Sequence, residues 1–422
     1  MSAIPSPLKS ALAVAPKVTP LAPVGLSVAG LPNVTIAGTA LFVTVSALDI
    51  YGNRASAYAG TIHFSSSDPG ASLPDYTFTA ADAGAHTFLV EFQIAGAQTF
   101  RIADTVNPAF SFNQTVQVNP GATFTFVMNG LPSSTVAGNV LNFTLTPTDF
   151  FGNRSTYSGL IVFSSSDAQA GLPSSWFFTS SDAGTHVFTA TLKTAGTQTI
   201  TAADSNFFGP TSTATVGVTP AAASTFQVAG FPATTAGVAH SFTVTALDAF
   251  GNIATGYTGT VAFSSSDPIA SLPTNYTFTA ADAGVHTFTG TLKRAGTQLI
   301  QAIDTVNGSI IGAENGIAVT AAAVTHFAIS GPTSVTQGVG FKITVSAVDD
   351  FGNVNAGYRG AVHLSSTDPT GGTQNFTFSN NDNGVHIFSY TFNALGLQTI
   401  TIVDTINSAI ASSFTTNVLK KQ

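Results

Sequence analysis

The chain has 422 residues, of which 44% are hydrophobic and only 8% are charged, and its formal net charge at pH 7 is −8. This length exceeds the roughly 250–300 residues that one hydrophobic core usually serves, so several domains are expected. Twelve Lys and Arg residues offer no basic surface for phosphates, which argues against a nucleic-acid-binding protein. The absence of cysteine excludes disulfides, thiol nucleophiles and zinc–thiolate sites.

The chain begins with a Pro- and Ala-rich tail, residues 1–23, that has no counterpart later in the sequence. Its apolar stretch ends at Pro16 and is shorter than the about 7–15 residues of a secretory signal, so no export signal is recognised. No apolar run approaches the ~20 residues of a membrane-spanning helix. We expect one of two roles for the tail. It is a linker to an anchor, or a strand, with Leu12 and Val14 as its apolar residues, that pairs with an open sheet edge of another chain.

After the tail, one sequence unit occurs four times. The segment LDIYGN at 48–53 recurs as TDFFGN, LDAFGN and VDDFGN, and both FSSSD at 64–68 and DAGAHTF at 82–88 recur in the same way. The interval of about 100 residues is the size of an independent domain and exceeds the about 20–50 residues of a solenoid unit. The predicted domains are repeat 1 (24–120), repeat 2 (121–220), repeat 3 (221–322) and repeat 4 (323–422).

Each repeat is predicted to consist of β-strands. In repeat 1, Val43, Val45 and Ala47 alternate with polar residues, which is the period of a strand with one buried face. Ile62 and Phe64 continue the pattern, and Gly-Asn and Asp-Ala-Gly turns separate the strands. About seven short strands in roughly 100 residues are typical of an immunoglobulin-like sandwich. The predicted fold is all-β, with four tandem immunoglobulin-like β-sandwiches in an elongated rod.

The motifs of these repeats resemble those of a known family. The Asp-x-x-Gly-Asn turn at 49–53, Tyr-x-Gly at 58–60, the strand end at 64–68 and Ala-Gly-Thr-Gln-Thr-Ile at 195–200 resemble bacterial immunoglobulin-like repeats of invasin- and intimin-type surface proteins. They are more distantly similar to filamin-type repeats. The resemblance extends over about residues 24–418. It implies extracellular stalks, adhesins and scaffolds in which most repeats are spacers. Repeat 4 departs from the pattern, because two glycines, 371–372, replace the Leu-Pro of the other repeats.

Three polar residues of every repeat are predicted to lie at one pole of the sandwich, at the end of the second strand, the start of the fifth and the end of the sixth. The predicted Asp–His–Asp clusters are Asp49/His86/Asp104, Asp149/His186/Asp204, Asp248/His286/Asp304 and Asp349/His386/Asp404. Two interpretations are open. The residues form structural caps, with carboxylates binding turn N–H groups and the histidine bridging strands, or the eight aspartates are calcium ligands. Four near-identical copies argue against an active site.

Two further features of the sequence are interpreted as having a structural role. The Ser-Ser-Ser-Asp segments, such as 65–68, are predicted at the opposite pole, where their side chains bind the backbone of a turn. Trp176 is the only tryptophan, replaces Tyr76 and Tyr276, and is predicted to face the core.

The sequence favours a non-enzymatic extracellular or cell-surface structural protein, which is a stalk, a fibre subunit or a surface-layer component. Self-association into fibres is expected if the tail has the second of its two roles, and a linker remains the other. No cofactor is predicted apart from the calcium alternative. An adhesin that binds a glycan or host protein through repeat loops is one alternative function, and a virion surface protein is another. An aromatic cluster or insertion present in one repeat alone would favour the adhesin.

Overall fold

The computed structural model describes residues 21–206 and 208–422. Leu12 and Val14, and with them the strand predicted for the tail, lie outside the described residues. No helix in these two ranges is long and apolar enough to cross a membrane. The helices within them are 3-10 helices of three residues each, namely Pro69–Ala71, Ala80–Asp82, Ser180–Asp182, Ala280–Asp282 and Asn380–Asp382.

All other regular structure is β-strand, with eight strands in each repeat. Repeat 1 contains β1 Gly25–Ala29, β2 Val34–Ile36, β3 Ala40–Leu48, β4 Thr61–Ser66, β5 Tyr76–Thr77, β6 Ala85–Glu91, β7 Gly96–Asp104 and β8 Ser111–Asn119. Repeat 2 contains β9 Thr125–Asn129, β10 Ser134–Val136, β11 Val140–Thr148, β12 Gly159–Ser165, β13 Trp176–Phe178, β14 His186–Thr191, β15 Gly196–Asp204 and β16 Thr211–Thr219. Repeat 3 contains β17 Thr225–Ala229, β18 Thr234–Thr235, β19 Ala239–Leu247, β20 Thr260–Ser265, β21 Tyr276–Thr277, β22 Val285–Thr291, β23 Gly296–Asp304 and β24 Ile311–Thr320. Repeat 4 contains β25 His326–Ser330, β26 Ser334–Thr336, β27 Gly340–Val348, β28 Ala361–Ser366, β29 Gln374–Thr377, β30 Val385–Thr391, β31 Gly396–Asp404 and β32 Ala411–Leu419.

Each repeat contributes one three-stranded and one five-stranded sheet. In repeat 1 their orders are β1-β3-β6 and β2-β8-β7-β4-β5, and equivalent orders recur in repeats 2, 3 and 4. The strand β3 pairs antiparallel with β6, and β4 pairs antiparallel with β7, which are pairings typical of an immunoglobulin-like sandwich. The short strand β2 runs parallel to β8. These repeated sandwich-like units confirm the all-β, immunoglobulin-like fold class.

The side chains predicted to face inward form the cores. Val43, Val45 and Ala47 of β3 are fully buried and pack in one cluster with Ile62 and Phe64 of β4. Burial of a side chain the size of Val or Phe contributes about 1.5–3 kcal/mol. The strands are therefore held mainly by this packing, and the polar motifs lie where the packed strands end.

The chain divides into two compact units. The first consists of Met1–Thr135, Asn139–Leu192 and Thr197–Gly217, and the second of Val136–Gly138, Lys193–Gly196 and Val218–Gln422. Repeat 1 and most of repeat 2 therefore belong to the first unit, and repeats 3 and 4 belong to the second.

Candidate functional site

The Asp-x-x-Gly-Asn turn is built around a buried carboxylate. In repeat 2, Asp149 Oδ1 accepts hydrogen bonds from the backbone N–H groups of Phe151 and Asn153, at 3.0 and 2.9 Å. Asp149 Oδ2 accepts from the N–H of Gly121 at 2.8 Å and from Asn153 Nδ2 at 2.9 Å. Burial alone would raise the pKa of Asp149, but these donors hold it below its ordinary value. The turn and the start of the repeat are thus joined to one carboxylate.

The asparagine of this turn also binds the preceding repeat. Within the first unit, Asn153 Nδ2 donates to the carbonyl oxygen of Gln93 at 2.7 Å, and the N–H of Ala95 donates to Asn153 Oδ1 at 2.8 Å. We call this pair of hydrogen bonds the junction contact. The side chain of Asn153 thereby uses both ends of its amide on the backbone of repeat 1, directly before β7.

The second unit contains the same contact twice. Asn353 Nδ2 donates to the carbonyl oxygen of Lys293 at 2.7 Å, and Asn353 Oδ1 accepts from the N–H of Ala295 at 2.8 Å. Asn252 makes the equivalent bonds to Lys193 and Ala195, which also belong to this unit, at 2.7 and 2.8 Å. The motif that looked like a simple turn in the sequence is therefore a connecting element between repeats.

An aromatic ring accompanies the junction contact. The ring of Phe151 lies against Gly38, whose φ of +81° is in the left-handed region, and a Cβ added to Gly38 would be 2.7 Å from the ring. In the second unit, Phe351 lies against Gly237 in the same way. Both rings pack on the core of the preceding repeat. A glycine is required at these positions both for its backbone conformation and for the space that the ring occupies.

The Ser-Ser-Ser-Asp segment organises the loop that receives the asparagine. Asp68 Oδ2 accepts hydrogen bonds from the N–H groups of Gln93 and Ile94 at 2.6 and 2.7 Å, and Ser67 Oγ donates to Gln98 Oε1 at 2.7 Å. Side chain-to-backbone bonding was predicted for this segment, and the structure confirms it. The sequence did not predict the consequence of this bonding, which is that the loop held by Asp68 forms part of the junction with repeat 2.

A further carboxylate that recurs in every repeat binds a tyrosine. Asp104 Oδ2 accepts from the hydroxyl of Tyr58 at 2.5 Å, and Asp104 Oδ1 accepts from the N–H groups of Val106 and Asn107 at 2.8 Å each. Burial, followed by this bond to Asp104, raises the pKa of Tyr58. The same tyrosine–aspartate bond occurs in the other repeats, as Tyr157–Asp204, Tyr257–Asp304 and Tyr358–Asp404.

In each repeat the histidine of the predicted Asp–His–Asp cluster has a hydrogen-bond partner outside that cluster, an aspartate four residues before it. His86 Nδ1 lies 2.7 Å from Asp82 Oδ1, and no hydrogen bond or ion pair in the described ranges joins His86 to Asp49 or Asp104. The ring of His86 stacks on Tyr76 at 4.2 Å, and the Tyr76 hydroxyl donates to Asp82 at 3.0 Å. The equivalent histidines bind the same position, as His186–Asp182, His286–Asp282 and His386–Asp382.

Asp82 is the residue that the sequence analysis missed. It closes a 3-10 helix by accepting the N–H of Thr79 at 2.6 Å, and it is four residues before His86. The four-residue spacing between Asp82 and His86 was the feature of the sequence from which this pair could have been predicted. In repeat 2 the stacked residue is Trp176, whose ring lies 3.9 Å from that of His186 and is 36% exposed. The prediction that Trp176 faces the core is therefore wrong.

The eight aspartates considered as calcium ligands have their oxygens directed at hydrogen-bond donors. Asp49 shows the pattern, since Oδ1 accepts from Tyr51 and Asn53 N–H groups and Oδ2 accepts from Leu21 N–H and Asn53 Nδ2. Donor N–H groups present positive charge to the carboxylate, as a cation would, so these oxygens already have the partners they need. Within 21–206 and 208–422, no group of three or more His, Asp or Glu side chains is placed to hold a metal ion.

No family model matches the chain, and no curated protein matches it. Among solved structures, the FdeC adhesin of Escherichia coli is 20% identical over 70% of this chain and 96% of its own, with a TM-score of 0.31. Invasin, a bacterial integrin-binding protein, is 15% identical over 94% of this chain and 79% of its own, with a TM-score of 0.32. An activated alpha-2-macroglobulin of Escherichia coli is 11% identical over 94% and 44%, with a TM-score of 0.29. The fold class rests on the strand pairings described above.

Proposed function

We propose that this chain is a non-enzymatic, extracellular structural protein whose immunoglobulin-like repeats act as coupled spacers in a stalk, fibre or surface layer. The junction contact carries the proposal. At each junction within the two units, one asparagine binds the same two backbone groups of the preceding repeat. A contact repeated in this way limits the motion of one repeat against the next, which is the property that a spacer requires.

The proposal includes an elongated molecule. The N–H groups of Gly121 and Ala322, at the repeat boundaries, donate to Asp149 and Asp349, which restricts the linkers. Strands of about ten residues span about 34 Å, so four end-to-end sandwiches with linkers measure on the order of 150 Å. Small-angle X-ray scattering should give a maximum dimension of this order. A compact particle of about the width of two domains would contradict the proposal.

The proposal also includes assembly through the tail, with Leu12 and Val14 in an added strand. The strand β6 is an edge of its three-stranded sheet, and its residue Leu89 is 56% exposed. An open edge of this kind accepts a further strand. Deleting residues 1–20 should preserve the β-sheet circular dichroism spectrum and abolish the fibres seen by negative-stain microscopy. If the shortened chain still forms fibres, or if the full-length chain stays monomeric at high concentration, the tail acts only as a linker.

One observation favours a second function, that of an adhesin. In repeat 2, Leu160 pairs across the strands with Phe177, which is 56% exposed. In repeat 1 the same two positions are Thr61 and Thr77, whose hydroxyls are 2.8 Å apart. At this pair of positions an exposed aromatic side chain occurs in repeat 2 alone, and exposed aromatic area is the feature expected of a binding surface for a glycan or protein.

The adhesin is tested by giving repeat 2 the threonine pair of repeats 1 and 3. The double variant Leu160→Thr, Phe177→Thr restores the threonine pair of repeat 1 and leaves the buried positions unchanged. If the chain is an adhesin, wild-type protein should bind specific members of a glycan or extracellular-matrix array, and the double variant should not. Binding by neither protein leaves the spacer as the function, and equal binding by both excludes the Leu160 and Phe177 surface as the binding site.

A further inference from the structure

In repeat 4, a backbone carbonyl oxygen accepts a hydrogen bond from a side chain of the same repeat. In the other repeats, the equivalent oxygen accepts a hydrogen bond from the asparagine of the following repeat. Gln337 Nε2 donates to the carbonyl oxygen of Asn393 at 2.8 Å. This oxygen is equivalent to that of Gln93, which accepts from Asn153 at 2.7 Å. In the other repeats the position of Gln337 is an alanine, namely Ala37, Ala137 and Ala236. A primary amide therefore meets the same backbone group in every repeat, but in repeat 4 it comes from the repeat itself.

The rest of the receiving loop in repeat 4 keeps the conformation found in repeat 1. The N–H groups of Asn393 and Ala394 donate to Asp368 at 2.6 and 2.9 Å, as those of Gln93 and Ile94 do to Asp68. Gly338 has a φ of +72°, and its nearest neighbour on the Cβ side is Asn393 Oδ1 at 3.5 Å. The N–H of Leu395 has no acceptor in the described part of the chain. Gln337 is thus the principal difference between this loop and a complete receiving loop.

The opposite element of the contact is exposed in repeat 1. Tyr51 and Asn53 occupy the positions of Phe151 and Asn153. Tyr51 is 78% exposed, whereas Phe151 is half-buried. The turn is formed all the same, with the N–H groups of Tyr51 and Asn53 bound to Asp49 at 3.0 and 2.8 Å. We call Tyr51–Asn53 the leading face of the chain.

We propose that Gln337 closes repeat 4 against the leading face of a second chain of this protein. Without it, the receiving loop of one chain and the leading face of another would have the chemistry of the junction contact. Contacts of this head-to-tail kind add one chain after another, and they extend into filaments wherever their rotation does not close a ring. Gln337 acts by occupying the carbonyl oxygen that Asn53 would bind.

The test uses the full chain with the photoreactive residue p-benzoylphenylalanine at position 51. Gln337→Ala removes the internal donor, and Gln337→Glu removes it while keeping the side-chain length, since a carboxylate cannot donate to a carbonyl. Irradiation should link position 51 of one chain to the loop around Gly338 and Leu395 of another. The yield in both variants should exceed that of the parent chain by about tenfold, the scale of one neutral hydrogen bond.

The controls separate this contact from other association. Asn53→Ala in the Gln337→Ala background removes the donor of the second chain and should return the yield to the parent level. Circular dichroism establishes that each variant is folded. Equal yields with and without Gln337, or adducts at other positions, would overturn the proposal. Association through the tail gives a different result, since it would be independent of position 337 and would be lost on deletion of residues 1–20.

Discussion

Replacing Asn153 by alanine removes the junction contact between repeats 1 and 2. Three hydrogen bonds are lost, two to the backbone of Gln93 and Ala95 and one to Asp149, with lengths of 2.7, 2.8 and 2.9 Å. A neutral hydrogen bond contributes about 0.5–1.5 kcal/mol net. We therefore expect Asn153→Ala to lower the free energy of unfolding of repeat 2 by about 2–3 kcal/mol, of which about two-thirds belongs to the coupling with repeat 1.

The single tryptophan gives a local assay for this loss. Trp176 lies in repeat 2, so its fluorescence during urea unfolding reports on that repeat, while circular dichroism reports on the whole chain. With an m-value of about 1–3 kcal/mol per molar urea, the expected loss lowers the midpoint of the Trp176 transition by about 1 M. The m-value should be unchanged if only stability is affected.

Asn53→Ala is the matched control, because Asn53 has the same turn but no preceding repeat among the described residues. Among the residues that the structure describes, its side chain makes one bond, to Asp49 at 3.3 Å, so the expected loss is about 0.5 kcal/mol, measured by calorimetry on both variants. The Trp176 midpoint should not move in this control. Equal calorimetric losses for Asn53→Ala and Asn153→Ala would refute the reasoning, since both asparagines would then act only within their own turns.

Four further predictions follow from single features of the structure. Tyr390→Phe should stabilise repeat 4 by about 1 kcal/mol in urea unfolding, because the buried Tyr390 hydroxyl has no hydrogen-bond partner in the described structure. Ala183→Gly should raise the stability of repeat 2 by up to about 1 kcal/mol, because Ala183 has a φ of +48° and the equivalent residue of repeat 4 is Asn383, which tolerates this conformation. Acid should destabilise the fold. The side chain and backbone of Ser379 and the nearby His386 lower the pKa of Asp382 to about 2, so its stabilising effect is complete above the ordinary aspartate pKa and is lost as the pH falls towards 2, which melting temperatures between pH 6 and pH 2 will measure. A chelator should leave the melting temperature unchanged, and a large decrease would support the calcium interpretation.

The fold could be predicted because it depends on a simple periodicity. Val43, Val45 and Ala47 alternate with polar residues, and the structure buries all three. The recurrence of the whole pattern at intervals of about 100 residues predicts units of domain size. Strand pairing followed from the immunoglobulin-like order, and the observed pairs β3–β6 and β4–β7 agree with it.

The partners of the polar residues could not be predicted in the same way. The order of the strands predicted that His86, Asp49 and Asp104 lie at one pole of the sandwich. A hydrogen bond forms over a distance shorter than the spacing between strands, so the strand order alone does not determine which side chains pair. The turn from Asp82 to His86 brings these two side chains, which are four residues apart, within hydrogen-bonding distance. The junction contact was missed for a related reason, since it joins residues about 60 positions apart in different repeats and has no local signature.

The comparison of Asp49 with Asp149 shows how the junction is energetically arranged. Asp49 holds its turn through N–H bonds of 3.0 and 2.8 Å without a preceding repeat in the described residues, and Asp149 holds the equivalent turn through bonds of 3.0 and 2.9 Å. The asparagine-bearing turn is therefore formed independently of its partner, and little conformational entropy is lost when it binds. A preformed turn of this kind couples adjacent repeats efficiently. It also leaves any unpaired copy ready to bind, and this is the physical reason why closure of the receiving loop by Gln337 matters for the chain as a whole.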